Sequence, residues 1–409
     1  MSRLRTELVI SGIGMITPAG CGSTANWRTV CAGLPTAARA AQLAGQRVDF
    51  ACTVPADFDG QKVIGDHARR MARFTQFAVA AARQAVRDAG LGPGRWDAAR
   101  VGVVLGTAFG GIDIWQDQAD RFRDRGSRWI SPLTVPLGLA NMAAGAVVMD
   151  LGLHGPSLVV STACASGTTA IGAALELVET GSCDIVLAGG AEAPINPLVA
   201  AGFDRLQALS RRTSDPAAAS RPFDRDRDGF VLGEGAAMLV LERQQDALAR
   251  HARPHARLLG YGAASDAHHL TDPEPDGRFA EQAVRAALRN ADVSPNDVDH
   301  VHAHATSTPG GDAMEARLIR RVYPHAPPVT ATKGVTGHLL GAAGALQAAV
   351  TALSLKHGLI PPTANLRSPD PDVDMDIVAG QARRATSSVA VNHSFGFGGH
   401  NAVAVLARV

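Results

Sequence analysis

The chain has no excess of charge of either sign. Lys and Arg together number 39 and Asp and Glu 38, a formal net charge of +1. That balance excludes an acidic or basic tail protein and leaves no electrostatic footprint for nucleic acid. Cysteine is sparse. The five cysteines, at positions 21, 31, 52, 164 and 183, include no Cys-x-x-Cys pair and are odd in number. A disulfide framework or a zinc site is therefore not expected, and a reducing compartment is the simpler setting. No apolar run reaches the roughly 18 residues of a spanning helix. The opening Met-Ser-Arg-Leu-Arg-Thr-Glu lacks the apolar stretch and cleavage site of a secretory signal. These absences predict a soluble cytoplasmic protein with no membrane partner.

What the chain does have is length, apolar content and glycine. At 409 residues and 46% hydrophobic it is long enough for a large core and too apolar to be disordered. Forty-three glycines are too many for a helical bundle and suit an α/β fold with many tight turns. Short apolar runs predict strands at Leu8–Ser11, Val101–Leu105, Leu158–Ser161, Ile185–Ala188, Ala237–Leu241, Val301–Ala303 and Val389–Val391. Helical spacing predicts helices over Arg73–Ala89, Ser166–Thr180, Ala280–Asn290, Asp312–Tyr323 and Leu340–His357. This alternation predicts largely parallel sheets with helices on their faces. The polar, Pro-terminated segment Glu242–Pro254 reads as a midpoint connection, after which the apolar run Leu258-Leu259-Gly260 restarts the alternation. Two halves, 1–253 and 254–409, follow from this pattern, although no repeat is visible residue by residue.

Two stretches imitate ligand sites. Asp224-Arg-Asp226-Arg-Asp228-Gly229 looks like the start of a calcium loop, but the twelfth position is Gly235 and Glu234 comes one place early. Phe395-Gly-Phe397-Gly-Gly399 is glycine-rich without the spacing of a phosphate cradle. The segments with stronger chemistry contain Cys164, His304 and His338. Cys164 lies in Ser161-Thr-Ala-Cys-Ala-Ser-Gly167, between a β-branched run and a helix start. Amides at a helix N-terminus lower a thiol's pKa, and small neighbours leave room for an acyl group. An inert buried cysteine fits that segment equally well. His302-Ala-His304-Ala-Thr306-Ser-Thr308 follows a predicted strand, and Lys333 lies five residues before His338, ahead of a long apolar helix. Groups at such element ends converge on one crevice of an α/β sheet. A cysteine beside imidazoles is a nucleophile pattern, and neutral imidazoles can donate to an oxyanion.

STACASG, HAHATSTPGGD, TKGVTGHLLGAAGA and NHSFGFGGHNA stand in an order and spacing that resembles the β-ketoacyl-acyl-carrier-protein synthases, the ketosynthases of the thiolase superfamily. The resemblance runs nearly end to end and includes VISGIGMITPAG, RFTQFAVAAARQAVRDAGL and SRPFDRDRDGFVLGEGA, which assigns the acidic near-calcium run to structure. It implies the thiolase fold: two related α/β halves in α-β-α-β-α layers, normally dimeric. It implies that Cys164 is the nucleophile that takes an acyl chain from a phosphopantetheine thioester. His304 and His338 match the pair supporting malonyl decarboxylation, and Lys333 the lysine ordering them. The amides of Cys164 and Phe397 match the oxyanion hole, with Phe397 also the gating aromatic. Thr306 and Thr308 match residues holding the phosphopantetheine arm; Asp312 and Glu315 read as structural. No metal or bound cofactor is implied, since the substrates ride on the phosphopantetheine of acyl carrier protein.

Three positions depart from the family pattern. Gln347 replaces a Glu that normally engages the lysine, which predicts a less well anchored Lys333. His393 replaces an Asn. Phe109 stands where long-chain enzymes often have Ile on the floor of the acyl pocket; added bulk there predicts a short pocket, or one extended by an unlike partner. The expected reaction is decarboxylative condensation of acyl and malonyl carrier proteins, in fatty-acid or type II polyketide synthesis. The competing reading is a non-catalytic chain-length-factor-like subunit, which Cys164, His304, His338 and Lys333 together argue against. No cysteine follows Cys183, which argues against a thiolase, and His338 argues against a starter synthase. The expected assembly is a homodimer or a heterodimer with a chain-length-factor-like subunit, paired through Gly155–Val160. Arg69, Arg70 and Arg73, then Arg121, Arg123 and Arg125, then Arg211 and Arg212 are local basic clusters that an acidic carrier protein could meet.

Overall fold

Side-chain alternation along single strands sets the layering. In Val101–Gly106, Val103 and Leu105 join an apolar cluster with Phe74, Phe77 and Ala81. Val104 points the other way, into a cluster with Ile171 and Ala174. The strand is buried on both faces, as a sheet covered by helices on each side requires. The computed structural model describes residues 7–409; residues 1–6, part of the segment weighed above for a secretory signal, lie outside the described residues.

The main sheet has eleven strands: β1 (Leu8–Thr17), β2 (Gly20–Cys21), β3 (Val101–Gly106), β4 (Ser157–Val160), β5 (Ile185–Glu192), β6 (Gly235–Arg243), β7 (Ala256–Ser265), β8 (His300–His302), β9 (Val329–Thr330), β10 (Val389–Gly396) and β11 (His400–Ala407). Their order is β9-β8-β10-β11-β7-β1-β6-β5-β3-β4, with β2 beside β1. All seven expected strands form. The apolar run at 258 grows into the ten-residue β7, and β11 is additional, as are the two-residue β2 and β9.

The order contains one pattern twice. In β4-β3-β5-β6-β1 the first two junctions are parallel and the last two antiparallel. The series β9-β8-β10-β11-β7 repeats this junction for junction. The two blocks meet at one corner, where only Leu8–Ile10 of β1 pairs with β7. The expectation of largely parallel sheets is corrected here: antiparallel pairs are the more numerous. One cause is local, since β10 returns into β11 through the three-residue turn Phe397–Gly399, which permits only antiparallel pairing.

Six helices position the site: α1 (Arg73–Asp88), α2 (Ser166–Glu179), α3 (Pro197–Arg205), α4 (Arg278–Ala291), α5 (Pro309–Val322) and α6 (Ala343–His357). α1 covers the outer face of the first block, and α4 and α5 that of the second. α2 and α6 share the layer between the blocks. Every residue of α6 from Ala343 to Leu355 is buried, so this helix has no solvent face. The layers therefore run α-β-α-β-α. The segment Glu242–Pro254 does connect the blocks but is not a loose linker. Glu242 is buried and accepts from Nε and Nη2 of Arg250, and Gln244–Ala249 is helical. Among the described residues no helix is long and apolar enough to cross a membrane.

The first turns of α2 and α6 touch backbone to backbone. A Cβ on Gly167 would lie 2.6 Å from the amide nitrogen of Ala345. Gly167→Ala is expected to cost about 1–3 kcal/mol through overpacking, read as a lower midpoint in chemical denaturation. Gly145→Ala, in the helix Met142–Leu151 where a Cβ would meet nothing within 4 Å, is expected to stabilise by about 0.4–1 kcal/mol.

Candidate active site

Cys164 sits in the single turn Ala163–Ala165 between β4 and α2. Ala163 holds a left-handed φ of 50°, which is strained for alanine. Ser166 pins the turn: its hydroxyl donates to the Ala163 carbonyl at 2.6 Å and accepts from the Thr162 amide at 2.9 Å. The Phe397 amide, in the turn between β10 and β11, and the cysteine's own amide both face the sulfur and favour its thiolate. Two backbone donors thus converge at the nucleophile position, the geometry of an oxyanion hole.

His304 lies in the loop after β8, and a carboxylate from α5 shapes that loop. Glu315 accepts from the His304 amide at 2.8 Å and the Ala305 amide at 2.7 Å. This holds Ala305 at a φ of 27°. Lys333 donates to the His304 carbonyl and reaches His304 Nδ1 at 3.4 Å. A donor at Nδ1 leaves the proton of the neutral imidazole on Nε2. His338 is buried, its ring lies edge-on to that of His304 at 5.5 Å between centroids, and neither of its ring nitrogens has a partner within the protein.

One cavity of about 400 Å³ is lined by Cys164, His304, His338, Thr306, Thr308 and Phe397. Thr306 and Thr308 share a hydroxyl–hydroxyl hydrogen bond of 3.0 Å. Lys333 is buried behind His304, outside the cavity lining. Phe109 does not line it either. The residue is 38% exposed, and its ring stands edge-on to the cavity-lining Phe203 of α3 at 6.1 Å. Phe203 in turn faces Phe230 and Phe397 at 5.1 and 6.2 Å. No motif marks Phe203; only the packing reveals it.

Electrostatics corrects one expectation. Desolvation pushes the Cys164 thiol up to about 11, against the opposing pull of Lys333 and the Phe397 amide. The helix N-terminus does not win. Burial likewise lowers Lys333 to about 8, partly offset by the carboxylate of Glu315. Burial, reinforced by the Lys333 charge, holds both His304 and His338 well below the usual imidazole range. Both rings are therefore neutral donors near pH 7.

Gln347 overturns the expectation of a poorly anchored lysine. Its Oε1 accepts from Lys333 Nζ at 2.8 Å, while its Nε2 donates to the carbonyls of Ala303 and His393 at 2.9 and 3.2 Å. A neutral amide thus anchors the ammonium and ties it to β10 and to the residue that follows β8. His393 Nδ1 donates to the Glu315 carboxylate (3.1 Å), and Nε2 pairs with the Tyr323 hydroxyl (3.4 Å). Asp312 accepts from the amides of Phe223 and Ser307, at 2.8 and 3.0 Å, and with Glu315 is structural. So is the near-calcium run, whose Asp224 is bonded by Arg221 and the amides of Asp226, Arg367 and Ser368. The basic clusters are half neutralised: Arg73 is clamped on buried Glu234, and Arg121, Arg123 and Arg211 pair with Asp117, Asp120 and Asp204.

The sequence matches the family models for the beta-ketoacyl synthase N-terminal domain over residues 5–247 and the beta-ketoacyl synthase C-terminal domain over residues 255–367. It is 41% identical to a 3-oxoacyl-[acyl-carrier-protein] synthase 2 of Synechocystis sp., over 97% of each chain. It is 40% identical to the enzyme of the same name from Staphylococcus aureus, over 98% of each. Among solved structures it is similar to the ishigamide ketosynthase/chain length factor, with a TM-score of 0.93 and 36% identity over 99% of this chain and 100% of that one. A type II polyketide ketosynthase solved with its acyl-carrier protein and bound to the hexaketide gives 0.92 and 30%, over 99% and 100%.

The shifted thiol and lysine give a pH signature. Alkylation of Cys164 by iodoacetamide is expected to quicken about tenfold per pH unit from 6 to 7 as thiolate accumulates. Above about 8, where Lys333 loses its charge, the rise is expected to flatten. Lys333→Met removes that charge, so the rate at pH 7 falls and the flattening disappears; rates followed by mass spectrometry check both.

Proposed function

The chain belongs to the β-ketoacyl synthase family, and from that premise we propose that it catalyses decarboxylative Claisen condensation between an acyl group on Cys164 and malonyl-acyl carrier protein. The observation that carries the reading is the convergence on one cavity of Cys164 with two backbone donors, His304 with its proton on Nε2, and His338 with no protein partner.

In the first half-reaction the Cys164 sulfur attacks the carbonyl of an acyl thioester. The tetrahedral oxyanion takes hydrogen bonds from the Cys164 and Phe397 amides. The carrier thiolate leaves and takes up the proton that Cys164 gives up. The malonyl thioester then enters, its arm passing Thr306 and Thr308. Its carboxylate leaves as CO2, and the bonding pair passes into an enolate whose oxygen is met by His304 and His338. Neutral donors in a desolvated pocket suit that charge. The enolate carbon attacks the acyl carbonyl, a carbon–carbon bond forms, and Cys164 departs as thiolate. That thiolate takes one proton, which closes the cycle. Passage through Cys164 makes the kinetics ping-pong, and shared binding supplies proximity. The substrates arrive as activated thioesters, so no metal or bound cofactor takes part. The five free thiols fit a reducing, cytoplasmic setting.

The assembly we propose is a dimer, with a second copy or a chain-length-factor-like subunit pairing along the edge strand β4. Ser157 and Leu158 of that strand are exposed, and Phe109 is open on the same side of the sheet order, one strand away on the loop after β3. The intact Cys164, His304, His338 and Lys333 set speaks against a non-catalytic subunit. The bulk at Phe109 favours short acyl chains, or a pocket completed by the partner.

Intact-mass spectrometry after exposure to acyl carrier proteins of graded chain length tests the reading. Acylation of the chain that Cys164→Ala abolishes supports it. His338→Ala is expected to keep acylation while slowing CO2 release on the order of 10²–10³-fold. Absence of acylation at every length, in a protein whose Cys164 still reacts with iodoacetamide, would overturn a self-sufficient homodimeric enzyme.

A further inference from the structure

We propose that Glu192 is a positioning residue that sets how long an acyl chain Cys164 accepts, by holding the Phe109 backbone against the turn that opens α6. The proposal rests on the reading that Phe109, which stands behind the cavity wall against Phe203, limits the acyl pocket. Glu192 ends β5 and is fully buried. No step of the condensation uses it, yet it is saturated with donors. Its Oε1 accepts from the Thr107 hydroxyl at 3.0 Å and the Phe109 amide at 3.1 Å. Its Oε2 accepts from the Ala108 amide at 2.6 Å and the Gly341 amide at 3.1 Å. A carboxylate offers about four acceptor sites, so none is left over.

Three of those donors are consecutive residues of the loop after β3, and the fourth comes from the opposite block. Thr107 closes the loop further by accepting from the Gly110 amide at 3.2 Å. The approach is close enough to exclude a side chain: a Cβ on Gly341 would lie 2.5 Å from the Ala108 nitrogen and 2.6 Å from Glu192 Oε2. Leu340, next to Gly341, lines the cavity with Cys164, as does Phe203, against whose ring Phe109 stands. The carboxylate therefore fixes the Phe109 backbone, and with it the point from which the ring reaches Phe203. Without it, the loop's N–H groups lose their acceptor. Phe109 is then free to swing off Phe203, and the wall yields to a longer chain.

An amide cannot substitute. A Gln at this position has one acceptor oxygen and turns two N–H groups toward existing donors, so at least two hydrogen bonds are lost. The test uses N-ethyl, N-hexyl and N-dodecyl iodoacetamide, which label Cys164 without any carrier protein, with Cys164→Ala as the site control. Glu192→Gln is expected to raise the dodecyl-to-ethyl labelling ratio about tenfold, the scale of a single hydrogen bond out of the two or more that it loses. Thr107→Val, which removes one donor and keeps the shape, is expected to raise it less. A purely structural role would lower all three labelling rates together and leave the ratio unchanged. Should Glu192→Gln fail to fold by circular dichroism, Thr107→Val decides. If Phe109→Ala raises the ratio while Glu192→Gln and Thr107→Val leave it at the wild-type value, the positioning role is overturned and Phe109 keeps its place. If Phe109→Ala also leaves it unchanged, the pocket reading fails and the proposal fails with it.

Discussion

The backbone contact between the first turns of α2 and α6 is the constraint on which the site depends. Each helix packs with a different five-stranded block, and the first turns of both are buried between the blocks. Cys164 immediately precedes one and His338 closely precedes the other. Only glycine at 167 and small residues along Ala342–Ala345 let the two chains approach to backbone distance. Interiors pack as densely as organic crystals, so a methyl group here has nowhere to go. The nucleophile and the imidazoles meet because two helix starts meet.

The second organising feature is the economy of charge around Lys333. One ammonium is buried among neutral groups, with Glu315 as the nearest counter-charge acting at a distance and Gln347 as its direct acceptor. Burying an ion is tolerated where hydrogen bonds satisfy it. Lys333 spends its protons on His304 and Gln347, which orients the first imidazole and leaves its Nε2–H for chemistry. Glu315 works from the other side, fixing the His304 backbone in a conformation an alanine at 305 would otherwise avoid. His393 adds a third contact to that carboxylate. The substitution at 347 and the substitution at 393 thus meet in one network: the Gln347 amide bonds the His393 carbonyl, and the His393 ring bonds Glu315.

Much of this was legible from the residues. Short apolar runs and helical spacing place every expected strand and helix, because both signals are local to a few residues. The pattern could not reveal strand direction or sheet order, which arise from where distant segments dock; hence the excess of antiparallel pairing went unforeseen. The motif residues Cys164, His304 and His338 were legible because each sits on a short strand–turn–helix segment with local signals. Phe203 and Glu192 were not. Each carries an ordinary local sequence, and its partners lie far along the chain: Glu192 reaches Phe109 across 83 residues and Gly341 across 149.

The sequence by itself determined the elements, the nucleophile segment and a near-neutral charge balance. Local propensity and composition suffice for those. The tertiary structure alone decided the protonation of the site. A helix start argues for a reactive thiolate, but desolvation by the assembled walls outweighs that short-range dipole, and the thiol is raised. It alone also decided the anchoring of Lys333 by a neutral amide, since whether Gln347 can stand in for a carboxylate depends on which carbonyls its second end can reach. Burial and long-range contact are properties of the packed chain, and no window of sequence contains them.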